Sequence, residues 1–138
     1  MRKVMVFGTF DILHPGHESF FRQAKKLGDY LIAVVARDKF VKEKKGWLPR
    51  NSEKLRSSRV QKSKLADKVI LGSKTHNFYR TIRTYKPSII ALGYDQKPSV
   101  TELKKSLKRH RLQNVGIVRL RSYKPEFFKS RFLSNSDG

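Results

Sequence analysis

The sequence predicts an α/β fold, a single doubly wound parallel sheet of five strands with helices on both faces. Three observations carry that expectation. The segment YLIAVVA, 30–36, is apolar almost throughout, which marks a strand covered on both sides rather than one with a wet face. The first 36 residues read as strand, helix, strand, the order of a right-handed βαβ unit. Beyond them, helical and strand stretches keep alternating, with Gly, Pro or capping residues at the joints. The 138 residues suit one compact domain, and no internal repeat interrupts the pattern.

Each element follows from local residues. KVMVF, 3–7, is a short apolar run with β-branched members and forms the first strand. A loop follows, from Gly8 to Gly16. A helix starts at Gly16 or His17 and runs to about Leu27, with Phe20, Phe21, Ala24 and Leu27 on one side. Gly28 and Asp29 end it, and the second strand is 30–36. Residues 37–50 read as a basic connection broken by Gly46 and Pro49. A helix over 52–64 is expected on poor amphipathicity, with Leu55, Arg59 and Lys62 on differing faces. DKVIL, 67–71, is the third strand, and 77–85 is a short helix closed by Lys86 and Pro87. SIIAL, 88–92, is the fourth strand and ends at Gly93. Ser99, with Glu102 three residues on, makes a capping box. The helix it opens carries Leu103 and Leu107 one turn apart and reaches about His110. Residues 115–120 are the fifth strand. The domain is thus 1–121, and 122–138 form a basic, aromatic tail. In such a Rossmann-like sheet, ligands bind beyond the carboxyl ends of the strands where the strand order reverses. The strand exits at Gly8 and Gly93 are therefore the first candidates.

Composition narrows the function. Thirty-two Lys and Arg against eleven Asp and Glu give a net charge of +21. A small catalytic domain does not need that, and such a field attracts polyanions. The surplus is concentrated: 39–64 hold ten Lys and Arg against two acids, and 104–131 hold ten against one. The second block is interleaved with Tyr123, Phe127, Phe128 and Phe132, and basic groups beside aromatics suit a single nucleic-acid strand. Contact with RNA or a ribonucleoprotein is one expectation for this surface, and a merely solubilising surface is the other. Trp47 and Leu48, in a loop, suit either their own core or a second copy of the chain in a homodimer. The absence of cysteine excludes disulfides and thiolate metal sites. The N-terminus has no long apolar segment, so no signal peptide and no membrane span are expected. The chain reads as a soluble, cytoplasmic protein.

VFGTFDILHPGH, 6–17, carries chemistry that a packed core does not require. Gly8 and Gly16 allow close approach or positive φ. The helix beginning here turns its free N–H groups and dipole toward the loop, a natural place for a phosphate. His14 and His17 lie three apart around Pro15 and Gly16, and both rings can reach one phosphate group. Their N–H groups can donate to phosphoryl oxygens as charge builds up. A metal reading needs a third ligand; Asp11 is near, whereas His76 and His110 are far away in sequence. The loop lacks the Lys-Ser/Thr ending of a Walker loop, and its glycines are wrongly spaced for a dinucleotide fingerprint.

GTFDILHPGH, 8–17, resembles the signature of the nucleotidyltransferase superfamily with the HxGH motif, which includes cytidylyltransferases and pantetheine-phosphate adenylyltransferase. VVARD, 34–38, resembles the segment after strand two in small cytidylyltransferase-like enzymes. ADKVILG, 66–72, and IIALGYDQ, 89–96, are similar to segments of archaeal-type FAD synthetases, which transfer AMP from ATP to FMN. The resemblance covers the chain from about Val4 to Leu120. It implies transfer of a nucleoside monophosphate from ATP, or CTP, to a phosphorylated acceptor with release of pyrophosphate. FMN is the implied acceptor ahead of glycerol 3-phosphate, with Mg²⁺ bridging the triphosphate through few protein ligands and several waters.

By position, the resemblance gives His14 and His17 the nucleotide phosphates and the α-phosphorus, with Gly16 giving room. Gly8, Thr9 and Phe10 would line the nucleotide and acceptor phosphates. Asp11 would order the loop or sit near Mg²⁺. Lys44 or Lys45 would reach the acceptor phosphate or the transferred α-phosphate. Arg56 matches the arginine of the family's EEQR-like segment, here EKLR. Gly93, Tyr94 and Asp95 would sit against base and ribose. Ser130, in FFKSRF, is the nearest match to the ISTT-like stretch that opens the family's last, phosphate-touching helix. Two departures stand out: the acidic neighbours before Arg56 are missing, and the chain stops soon after Ser130. They leave a catalytically degenerate, basic RNA-binding or structural protein as the alternative.

Overall fold

Side-chain alternation along the first strand decides which helix lies on which face. In β1 (Lys3–Gly8), Val4 and Val6 point to one side and Met5 to the other. On the first side they meet Phe20, Phe21 and Ala24 of α1 (Pro15–Lys25) and Val60 of α3 (Glu53–Ser63). On the second, Met5 packs with Ile82 of α4 (Phe78–Tyr85) and with Leu103 and Leu107 of α5 (Val100–Arg109). The computed structural model describes residues 1–75 and 77–122. His76 and the expected tail from Tyr123 onward, Ser130 included, lie outside the described residues.

The remaining strands are β2 (Tyr30–Val35), β3 (Lys68–Leu71), β4 (Ile89–Leu92) and β5 (Gly116–Arg119). All pair in parallel, in the order β3-β2-β1-β4-β5. Val4 and Met5 pair with Leu31 and Ile32 on one side and with Ile89 and Ile90 on the other. The chain leaves β1 toward β2 and returns by way of α4 to β4, so the order reverses between β1 and β4. The exits at Gly8 and Gly93 therefore flank one crevice. The sheet, the strand positions and the four expected helices agree with the sequence expectation to within a residue or two. Ser99 and Glu102 form the expected capping box on α5.

Two local expectations need correction. Residues 37–50 are not merely a connection: they contain α2 (Asp38–Lys45), ended by Gly46 at φ 86, a left-handed position where glycine is unstrained. Only Val41 of this helix is buried, so it left no hydrophobic period to read. Its Lys and Glu residues favour a helix without marking one. In α3 the buried residues are Arg56 and Val60, one turn apart, while Leu55 is exposed. The helix thus turns a charged residue inward, which hides its amphipathicity. Trp47 and Leu48 stand in solvent between α2 and α3, Trp47 at 65% exposure. Among the described residues no helix is long and apolar enough to cross a membrane.

Candidate active site

His14 is the N-cap of α1. Its backbone is extended, its Nδ1 accepts the Gly16 N–H at 3.0 Å, and Pro15 fills the helix start, where no N–H is needed. Because Nδ1 accepts, the proton of the neutral ring sits on Nε2, which is buried without a protein partner. His17 lies one turn along, 3% exposed, and the two imidazoles stack with centroids 4.0 Å apart. A glycine between them leaves the His14 ring its place: a Cβ at position 16 would stand 2.8 Å from His14 Cε1 and force the ring to shift. Burial pushes the His17 pKa down to about 4, with the adjacent His14 adding to the shift and a hydrogen bond to the Ile12 backbone opposing it. Burial lowers His14 as well. Burial thus favours the neutral form of both rings, in which each offers an N–H dipole rather than a charge.

The loop before them is held from beneath. Phe10 has φ 52, a left-handed conformation uncommon for a bulky residue. Its ring is buried against Phe21 at 5.1 Å and lies edge-on to His17 at 5.6 Å. Phe10 was expected to line the nucleotide; its ring instead belongs to the core under the histidines. Asp11 accepts from the N–H groups of Arg50 at 2.7 Å and Asn51 at 2.8 Å and from Asn51 Nδ2 at 3.1 Å, while Nδ2 also reaches the Asp11 carbonyl at 2.8 Å. Burial raises the Asp11 pKa, but these hydrogen bonds and the charge of Arg56 outweigh it and hold it below the ordinary value. Of the two places expected for Asp11, this geometry is that of loop ordering.

Arg56, matched by the resemblance to the family's arginine, supports the loop from below. It is wholly buried. Its Nη1 donates to the Thr9 carbonyl at 2.7 Å, Nε to the Asn51 carbonyl at 3.0 Å and Nη2 to Asp38 at 2.7 Å. A guanidinium held in this way fixes the backbone around the loop. A second pair, Arg37 with Glu53 at 3.2 Å, and the Asp38 N–H on Glu53 at 2.9 Å tie α2 to α3. The sequence had offered Arg37 and Asp38 within VVARD without a role, and nothing had pointed to Asn51.

The second exit is built differently. The Gly93 N–H donates to Gln96 Oε1 at 2.7 Å, and Gln96 Nε2 reaches across to the Phe7 carbonyl at 2.8 Å. Arg119 Nη1 donates to the Gly93 and Gln96 carbonyls, at 2.8 and 2.6 Å. The backbone of Gly93 is thus engaged within its own loop, while the side chains of Tyr94 and Asp95 project into solvent. Gln96 had been quoted without a role, and Arg119, a charge at the end of a strand, was the only hint of the second support.

The chain from Arg37 to Asn51 leaves β2 at its carboxyl end and returns to Asp11 at the exit of β1. That keeps α2, with Lys44 and Lys45 in its last turn, on the ligand side of the sheet. Lys44 is exposed, with Nζ 5.8 Å from the Phe40 ring centre, and Lys45 is partly buried. Further along the same edge, a groove of about 310 Å³ runs between the exit of β3 and α4, lined by Arg37, Leu71, Ser73, Lys74, Arg80 and Thr84 among others. No group of three His, Cys, Asp or Glu that could hold a metal ion occurs among the described residues, and the carboxylates of Asp11 and Asp38 already face N–H donors.

In comparison with known proteins, residues 5–133 match the family described as Cytidylyltransferase-like. The FAD synthase of Aciduliprofundum boonei is 43% identical over 123 residues, covering 89% of this chain and 80% of that protein. The FAD synthase of Archaeoglobus profundus is 45% identical over 123 residues, covering 88% and 76%. Among solved structures, the lipopolysaccharide core biosynthesis protein from Thermoplasma volcanium has a TM-score of 0.84 at 40% identity, covering 90% of this chain and 99% of that one.

Proposed function

The chain belongs to the cytidylyltransferase-like family, and on that footing we propose that it transfers AMP from ATP to the phosphate of FMN, giving FAD and pyrophosphate. The observation that carries the chemistry is His14 Nε2, a protonated, buried nitrogen without a protein partner at the start of α1. An α-phosphate placed there would receive N–H donation from His14 and His17 and from the helix terminus.

An oxygen of the FMN phosphate attacks the α-phosphorus, and the bond to the bridging oxygen of pyrophosphate breaks in line. The bonding pair leaves with pyrophosphate. The acceptor is already an anion, so no proton has to be removed, and catalysis consists of alignment and charge neutralisation. The neutral imidazoles supply directed dipoles, and Lys44 and Lys45 supply positive charge. Gly8, Thr9 and Gly16 let the phosphates approach the loop. Tyr94 and Asp95, across the crevice, serve the base and ribose. Mg²⁺ accompanying the triphosphate would add to the neutralisation of its charge. The groove beside β3 lies two strand spacings, about 10 Å, from the exit of β1. Its lining mixes Ile70 and Leu71 with hydroxyls and with Arg37, Lys74 and Arg80, and its size suits an acceptor larger than a glycerol.

The test pairs ATP or CTP with FMN or glycerol 3-phosphate and follows pyrophosphate release and products by chromatography. FAD from ATP and FMN alone is the expected result. A cytidylyl product would overturn the substrate assignment. Turnover of no pair would favour the degenerate, RNA-binding reading.

A further inference from the structure

Two residues far from the catalytic loop in sequence grip it on either side of its most unusual backbone position. Thr9 and Asp11 flank Phe10, whose φ of 52 is the only positive value in the loop. The Thr9 carbonyl, in the peptide just before Phe10, is held by Arg56 Nη1 at 2.7 Å. On the other side, Asn51 Nδ2 holds the Asp11 carbonyl at 2.8 Å and its carboxylate at 3.1 Å. The two grips are joined, because the Asn51 carbonyl accepts from Arg56 Nε at 3.0 Å. A left-handed bulky residue persists where its surroundings over-determine it, and such strain gathers at functional sites. What the strain achieves is visible in the ring. Phe10 is turned down into the core, 5.6 Å edge-on beneath His17, which in turn stacks on His14.

We propose that Asn51 is a positioning residue for the histidine pair: its side-chain amide keeps Phe10 in the conformation that seats His17, and through it His14, for the reaction. The backbone N–H groups of Arg50 and Asn51 reach only the Asp11 carboxylate. The amide of Asn51 also fixes the loop's main chain, a task those groups do not perform. The kinetic half of this proposal rests on the reading of His14 and His17 given above, and the spectroscopic half does not.

Asn51→Ala removes the amide while leaving the backbone carbonyl for Arg56. Its kcat should fall about a hundredfold, the size of an ångström-scale misplacement, with KM for ATP and FMN held. In the substrate-free protein, NMR signals of the His14 and His17 ring protons should move toward those of a solvated imidazole. The His110 ring, stacked on Tyr79 on the other face of the sheet, should stay put. Asn51→Asp keeps the shape but sets a carboxylate against Asp11, and serves if the alanine variant fails to fold. It should lose at least as much, because a carboxylate cannot donate to the Asp11 carbonyl. Histidine signals that do not move in either single variant overturn the positioning role whatever the enzyme's activity. Moved signals with wild-type kcat overturn its link to catalysis. Lost kcat with His110 signals moving as far as those of His14 and His17 would reduce Asn51 to general stability.

Discussion

The two strand exits that face each other across the crevice are built on opposite plans. At the exit of β1 the functional groups are buried, neutral and rigidly seated, and the supports come from distant Asn51 and Arg56. At the exit of β4 the loop is held by its own Gln96 and by Arg119, and the side chains on offer, Tyr94 and Asp95, stand in solvent. A group that must meet developing charge gains from being fixed and dry beforehand. A group that recognises a ligand can be left wet and adaptable, provided its backbone is fixed. Under the proposed function, burial and hydrogen bonding divide the crevice into a reacting wall and a recognising wall.

That division breaks most sharply at the histidines. His14→Ala and His17→Ala should each lower kcat by about a hundredfold or more, with folding retained. Gly16→Ala should act in the same direction without touching either imidazole's chemistry, because its new methyl group occupies the space of the His14 ring. Pyrophosphate-release kinetics check all three. A Gly16→Ala enzyme with wild-type kcat would mean that His14 works from some other position.

The reacting wall also carries a pH signature. Unfolded, His17 takes up its proton near 6.5; folded, only near about 4. Its contribution to stability is complete above pH 6.5, declines as pH falls through that window, and is gone below about 4, where both states are protonated. The swing is on the order of 3 kcal/mol. Urea unfolding at pH 7.5 and 4.5 should show a smaller loss for His17→Gln than for the wild type. An equal loss would place the acid sensitivity elsewhere.

The smallest effect belongs to the recognising wall. Asp95→Ala should raise KM for ATP about tenfold, the scale of one lost hydrogen bond to a charged group, at unchanged kcat and thermal midpoint. If the variant instead melts early and binds normally, Asp95 is structural and the contrast between the walls fails.

The sheet was legible because its strands are short, apolar and separated by strong breakers, and because YLIAVVA admits only a doubly covered strand. The HPGH segment was legible because each residue has a local reason: a cap, a helix start, a clearance and a ring. Helix α2 was not, since one buried Val41 makes no period. Nor were the roles of Arg56 and Asn51. A buried arginine looks in sequence like any basic residue on a charged helix, and its partners at Thr9 and Asp38 are 47 and 18 positions away. What a side chain faces across such separations is decided by packing, which local pattern does not encode.

Trp47 is the chain's single tryptophan, and it stands in solvent on the connection that runs from α2 to Asn51. The protein thus carries its own optical gauge, with no dye to attach and no competing indole to subtract. Its emission reads the wetness of one short span at the rim of the crevice. As ATP and FMN are added in turn, the colour and intensity of that emission follow whether the span dries over the bound substrates or remains open while they react.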